Sequence, residues 1–117
     1  MEKSLDLQVE MAKSGYPTLK ISYDDKTLYL HSKYNPIREA ETWAKDFYEP
    51  GKLFILIGLG LGYYAKELLK IMDANDRILI IEPYEKILTI TNDHGLAELL
   101  ADPRVFICLQ ENKNNLG

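Results

Sequence analysis

The sequence feature that most constrains the fold is an apolar run that leads into three closely spaced glycines. Residues 53–57 read LFILI, Gly58, Gly60 and Gly62 follow at every second position, and an apolar helical pattern begins at Tyr63. Glycine adopts positive φ angles at no steric cost, so a buried strand can reverse sharply through such residues into a helix. The sequence therefore predicts a strand, a tight turn and a helix in direct succession.

Two further apolar runs follow, and the first of them ends in an acid. Residues 77–81 precede Glu82, which lies twenty residues after Gly62, and residues 105–109 form the last run. In β-α-β nucleotide-binding units, an acid at the tip of the second strand binds a ribose diol. Continuously apolar strands that alternate with helices indicate parallel pairing with right-handed crossovers. We therefore predict an α/β fold, a Rossmann-like half of a three-layer structure with the parallel strands in the order third, second, first.

The N-terminal part predicts a different, smaller unit. Residues 18–23 and 27–31 alternate apolar and polar side chains, which indicates a β-hairpin, with three to four loop residues built on a type I turn. Asn35 suits a helix cap and Pro36 the first helical position, ahead of apolar residues at three-four spacing. Residues 1–14 fit a strand by alternation or a short amphipathic helix, and we favour the helix.

These patterns divide the chain into an N-terminal helix, hairpin and helix module at residues 1–50 and a βαβαβ half-domain at residues 51–117, together one compact unit. The first parallel strand would then have an unpaired edge. The hairpin could cover that edge, a second copy could pair with it in a homodimer, or the chain is a fragment of a longer protein that supplies the next strands. We favour the fragment.

The glycine turn fits two kinds of ligand site. The spacing of Gly58, Gly60 and Gly62 is that of S-adenosylmethionine-dependent methyltransferases, although Leu56 stands where that family carries an acid. A second register matches the dinucleotide pattern. In a third interpretation the glycines only make the turn and the pocket is empty.

The dinucleotide register runs from Gly60 through Gly62 to Ala65, but the bulky side chains of Tyr63 and Tyr64 lie beside the turn, where they would crowd a pyrophosphate or stack on a ring. Both registers place Glu82 at a ribose. The candidate cofactor-binding residues are Gly58, Gly60, Gly62 and Glu82. The cofactor is unknown, with S-adenosylmethionine or a nucleotide as the alternatives.

Composition and charge limit the classes of partner and the cellular compartment that fit this chain. The net charge is −4 and no Lys/Arg run occurs, which argues against nucleic acid. Residues 53–57 are far shorter than the ~20 residues that cross a bilayer, and the start lacks an export signal. The single cysteine, Cys108, is predicted to be a buried small hydrophobe in a cytoplasmic protein. His31 and His94 have no ligands at metal-site spacing, so we assign no metal and no catalytic residue.

The sequences LHSKYNPIREA at residues 30–40, GLGLGY at 58–63 and IEP at 81–83 together resemble the N-terminal region of the motility accessory factor family. The resemblance extends from Tyr16 to Leu109. It implies a multidomain cytoplasmic enzyme that moves a nonulosonic acid sugar from its cytidylyl carrier to Ser/Thr of flagellin. The transferase domain follows this region in that family, so no catalytic residue is carried over.

The expected function is a docking module of a flagellin glycosyltransferase that contacts the remaining domains of its parent protein and flagellin or another protein acceptor. A fragment of an S-adenosylmethionine-dependent methyltransferase or another nucleotide-using enzyme is the alternative.

Overall fold

A computed structural model describes residues 6–109 of the chain. The elements in chain order are β1 (Asp6–Met11), β2 (Pro17–Tyr23), β3 (Lys26–Tyr29), α1 (Pro36–Phe47), β4 (Leu53–Ile57), α2 (Tyr63–Ile71), β5 (Arg77–Glu82), α3 (Glu85–Asn92), α4 (Leu96–Ala101) and β6 (Val105–Leu109). The architecture is α/β, with one antiparallel and one parallel sheet of three strands each. Within residues 6–109, no helix combines the length and the apolar composition that crossing a bilayer requires.

The first three strands form the antiparallel sheet in the order β1-β2-β3. The prediction of a helix over residues 1–14 is wrong for the part that the structure describes. There β1 is a strand paired with β2, with Leu7 opposite Ile21 and Val9 opposite Leu19. Residues 1–5 of that prediction lie outside the described residues. The period-two alternation decided the outcome, because it lets β1 pair with β2 in one continuous register that satisfies the backbone groups facing β2.

The predicted hairpin is confirmed, but its loop is shorter than expected. Tyr23 pairs with Lys26, so Asp24 and Asp25 alone connect β2 to β3. Asp24 has a φ of 57°. Aspartate tolerates this left-handed conformation better than most residues, and it therefore replaces the glycine that a two-residue turn usually contains.

Helix α1 begins and is capped as its sequence predicts. Pro36 is its first residue, and the Asn35 side-chain oxygen accepts a hydrogen bond of 3.1 Å from the Arg38 amide. Ala40 and Ala44 on one face are buried in the core. The helix packs closely against α2, so the N-terminal and C-terminal parts of the described chain share one hydrophobic core.

The parallel sheet has the predicted order, β4-β5-β6, with Ile55 beside Leu79 and Ile80 beside Ile107. The hairpin strands belong to the other sheet and do not pair with β4. The edge of β4 that faces away from β5 is therefore unpaired within residues 6–109, and of the three explanations for it, cover by the hairpin is not realised.

Among residues 6–109, one face of the parallel sheet is covered and the other is not. Along β4, Phe54 and Leu56 are buried, whereas Leu53, Ile55 and Ile57 are 60%, 51% and 72% exposed. The register aligns the exposed side chains across the sheet into a surface that we call the open face, which comprises Leu53, Ile55, Ile57, Phe106 and Cys108. The prediction of a buried Cys108 is wrong, because a strand expected to be covered on both faces is covered on one.

Candidate functional site

A cleft of about 340 Å³ lies where the carboxyl ends of β4 and β5 approach the hairpin. This end of a parallel sheet is where open α/β folds bind ligands. The lining is largely apolar and consists of Ile21, Leu30, His31, Ile57, Gly58, Leu59, Gly60, Tyr64, Glu82, Pro83, Tyr84 and Ile87.

The β4-α2 turn is held by hydrogen bonds within the protein. The amide of Gly58 donates to the Ile81 carbonyl, and that of Gly62 donates to the Leu59 carbonyl. The amide of Leu59 donates to Glu82 and that of Leu61 to His31. These four amides therefore stabilise the turn itself, whereas a pyrophosphate-binding loop directs amides at its ligand.

Glu82 closes the turn from the neighbouring strand. Its side chain is fully buried, Oε1 accepts from the Leu59 amide at 2.7 Å, and Oε2 accepts from the Tyr84 amide at 2.9 Å. One carboxylate therefore ties the glycine turn to the segment that enters α3. A buried carboxylate with both oxygens hydrogen-bonded is a strong positioning group.

His31, at the end of the hairpin, supports the turn from the opposite side. Its side chain is 3% exposed, and Nε2 accepts a hydrogen bond of 2.9 Å from the Leu61 amide. The ring of Tyr63 meets the imidazole edge-on at a centroid distance of 5.0 Å. Burial lowers the pKa of His31 from 6.5 to about 4, so the ring is neutral at pH 7.

A glycine is required at position 60 because its backbone lies close to the imidazole of His31. It has a φ of 56°, and a Cβ built there would lie 2.5 Å from His31 Nε2. On the other side of the turn, the buried Thr91 hydroxyl of α3 lies within hydrogen-bond distance of the Gly60 and Ile87 carbonyl oxygens. The turn is thus enclosed between the hairpin and α3.

The structure brings three of the four predicted site residues together, because Gly58, Gly60 and Glu82 line the cleft. Gly62 does not line the cleft. It is the N-cap of α2, where an added Cβ would be 3.1 Å from Leu99 Cδ1. Glu82 is directed at protein amides. That these four residues bind a cofactor stays a prediction.

The residue that sequence reasoning missed is His31. We considered it only as a metal ligand, and in the part of the chain that the structure describes no group of three or more His, Cys, Asp or Glu side chains could hold a metal ion. The sequence signal that could have identified His31 is its position next to Ser32, in the segment that carries the family resemblance. Tyr64, one of the two tyrosines predicted to lie beside the turn, lines the cleft together with Tyr84.

Comparison with the models of known protein families and with curated proteins finds no match for this chain.

Proposed function

We propose that this chain is the N-terminal docking module of a larger, motility accessory factor-like flagellin glycosyltransferase. In this proposal it forms one half of a Rossmann-like fold, contains a nucleotide-fold-like cleft and has no catalytic centre of its own. The observation that carries the proposal is the open face next to the unpaired edge of β4.

Parallel sheets are stable when both faces are covered, because their strands are apolar on both sides. The open face exposes more than half of the Ile55, Ile57 and Phe106 side chains. Contiguous exposed apolar surface of this kind marks an interaction site. The face therefore supports a role in association with another folded unit.

A groove extends this surface around the edge of β4. It has a volume of about 350 Å³ and is lined by Trp43, Phe47, Ile55, Leu56, Ile57, Gly58 and Tyr64. The rings of Trp43 and Phe47 stack at a centroid distance of 4.7 Å and form its aromatic wall. An unpaired strand edge beside an apolar groove favours a partner that adds a strand through main-chain hydrogen bonds.

The occupant we propose is a strand and helix unit from the rest of the parent protein. A strand added beside β4 extends the sheet away from β5, and a right-handed crossover in that direction places its helix on the open face. One such unit covers the edge and the face together. A second copy paired through the same edge would satisfy the β4 backbone but leave the open face without helices.

The contacts of the family-like segments support the same assignment. The Ser32 hydroxyl accepts from the Tyr34 and Asn35 amides and shapes the loop before α1. The preceding residue, His31, binds the glycine turn. The three sequence segments of the resemblance are therefore in contact with one another in this chain. No structural observation favours the methyltransferase alternative: Leu56, at its acid position, is buried and does not line the cleft.

The proposal is tested by co-expressing this chain with the segment that follows residue 117 in its native reading frame. We expect a stable one-to-one complex, measured by light scattering, and transfer of the sugar to flagellin by the complex but not by this chain alone. The double variant Ile55→Lys with Ile57→Lys should abolish the complex and leave the thermal stability of the isolated chain unchanged, because both side chains are exposed.

The matched control is the double variant Val9→Lys with Met11→Lys, which changes two exposed apolar residues of β1 and should retain the complex. A reading frame without a following transferase domain would contradict the proposal. So would a complex that forms equally well with the β4 variant, or a homodimer of the isolated chain that the β4 variant disrupts.

A further inference from the structure

We propose that the cleft at the β4-α2 turn binds an uncharged nucleoside, with the His31 Nδ1–H as hydrogen-bond donor and the Glu82 carboxylate as acceptor. This inference specifies the cleft of the proposed function and therefore rests on it. It depends on residues 6–109 alone and not on the open face.

The donor follows from the hydrogen bond that His31 already makes. Nε2 accepts the Leu61 amide proton, so Nε2 carries no hydrogen. A neutral imidazole with an unprotonated Nε2 has its proton on Nδ1. That Nδ1–H is buried and has no hydrogen-bond partner among residues 6–109. An unpaired buried donor costs about 1–3 kcal/mol, so its retention beside a cleft indicates a group that pairs with it.

The acceptor is the carboxylate of Glu82. Each of its oxygens accepts one backbone amide, whereas a carboxylate has about four acceptor sites. The remaining sites can accept ligand hydroxyl or amino groups. His31 and Glu82 both line the cleft, so one ligand can accept a hydrogen bond at one end and donate at the other.

The charge of the lining selects an uncharged ligand. In the described chain the lining contains Glu82 but no Lys or Arg. The amides of Gly58, Leu59, Leu61 and Gly62 already donate to acceptors of the protein. A phosphate would meet a buried carboxylate without compensating cations, which is unfavourable. The cleft therefore favours the nucleoside over its phosphorylated forms.

The volume of the cleft agrees with a ligand as small as a nucleoside. Its volume of about 340 Å³ lies at the low end of the roughly 300–1,000 Å³ of small-molecule sites. The ring of Tyr84, 53% exposed, lies at the cleft and offers a surface for stacking a base. Because Nδ1 is enclosed and the Glu82 side chain is fully buried, the ligand reaches both groups only when a neighbouring side chain moves. Tyr64, which lines the cleft with its ring centroid 5.5 Å from that of His31, is the side chain we assign to this movement.

The test is calorimetric titration of the chain with adenosine, cytidine and their 5′-diphosphates. We expect saturable binding of at least one nucleoside and at least tenfold weaker binding of its diphosphate. The variant His31→Gln keeps an acceptor for the Leu61 amide but moves the donor from the Nδ1 position to an amide NH2 group, so it should fold normally and bind the nucleoside at least tenfold more weakly. His94→Gln is the matched control, because His94 Nδ1 lies 2.9 Å from the Ile90 carbonyl and His94 does not line the cleft.

A second measurement on the unmodified chain does not depend on how the variant folds. Nitrogen-15 NMR of the imidazole should show the Nδ1–H form of His31 and a change in the Nδ1 shift when the nucleoside is added. Flat titrations for both nucleosides, diphosphate binding as tight as nucleoside binding, an Nε2–H form, or unchanged binding by His31→Gln would each overturn the inference. Complex formation through the open face is measured separately, so the two proposals can fail independently.

Discussion

At the scale of single residues, His31 shows how burial sets a charge state. The imidazole is enclosed beside Tyr63 and Tyr64 and accepts one backbone amide. Protonation would place a second hydrogen between Nε2 and the Leu61 amide, in a site that excludes water. Burial therefore lowers the pKa to about 4, and the folded chain holds this histidine neutral.

This pKa predicts an acid-dependent loss of stability. Between pH 6.5 and about pH 4 the unfolded chain binds a proton at residue 31 that the folded chain does not, so the free energy of unfolding falls as the pH falls through that window. The full effect of His31 is on the order of 3 kcal/mol. Urea denaturation at half-unit pH intervals should show this slope in the wild type and in His94→Gln, and a much flatter one in His31→Gln. An identical slope in His31→Gln would contradict the prediction.

At the scale of elements, the β4-α2 turn is positioned by three elements besides its own. The hairpin contributes His31, β5 contributes Glu82 and α3 contributes Thr91. Gly60 lies closest to these supports, where a Cβ would be 2.5 Å from the imidazole. The glycine is therefore needed to admit His31 as well as to make the turn.

A double-mutant cycle separates the need for space beside His31 from the need for a backbone with positive φ. Gly60→Ala should lower the free energy of unfolding through the collision with His31 and through a positive φ that costs about 1–2 kcal/mol. In a His31→Ala background the collision disappears and only the backbone cost remains. We expect a coupling energy of about 1–3 kcal/mol from urea denaturation of the four proteins. Additive effects would show that the imidazole does not restrict the turn.

At the scale of the whole molecule, Asp76 connects the N-terminal part to the parallel sheet. Its Oδ2 accepts from the Tyr48 hydroxyl at 2.7 Å and its Oδ1 from the Gly51 amide at 3.0 Å. Asp76 itself caps the loop before β5 by accepting from the Asp73 amide. The Tyr48 hydrogen bond is the main cause that lowers the pKa of Asp76, followed by the backbone hydrogen bonds from Asp73 and Gly51 and by the charge of Arg104.

Removal of the Tyr48 hydroxyl should therefore weaken the whole molecule in a pH-dependent way. A carboxyl whose folded pKa is lowered stabilises the fold above its unfolded pKa of 3.8 and loses that effect as the pH falls through the folded value. Tyr48→Phe should lower the urea midpoint at pH 7 and have a smaller effect near pH 2. Tyr23→Phe, which alters an exposed tyrosine of β2, is the control and should leave the midpoint unchanged. Equal effects of Tyr48→Phe at both pH values would contradict the role of Asp76.

The sequence predicted the elements that local patterns encode. The apolar runs and the glycine turn predicted β4, β5 and β6 and their order, and Asn35 with Pro36 predicted the start of α1. Predictions were wrong where two local patterns competed, as in β1, or where a two-residue turn contains no glycine, as in the hairpin, whose Asp24 adopts the left-handed conformation.

The candidate site was predictable only in part. The spacing of Gly60 and Glu82 indicated that the turn and the strand tip would meet, and both residues line the cleft. The sequence did not indicate that Glu82 would bind the Leu59 amide, or that His31 would meet the turn from thirty residues away. The sequence also did not indicate that Ile55 and Cys108 would be exposed, because an apolar strand has the same sequence pattern whether one face or both are covered.

The sequence by itself thus determined the parallel strands, the start of α1 and the glycine turn, because periodicity, capping and glycine conformation act between residues close in the chain. The tertiary structure decided which face of the sheet stays open and which side chains surround the turn, because these depend on the packing of segments far apart in sequence. His31 belongs to that second group, since its buried donor exists only where the hairpin lies against the glycine turn.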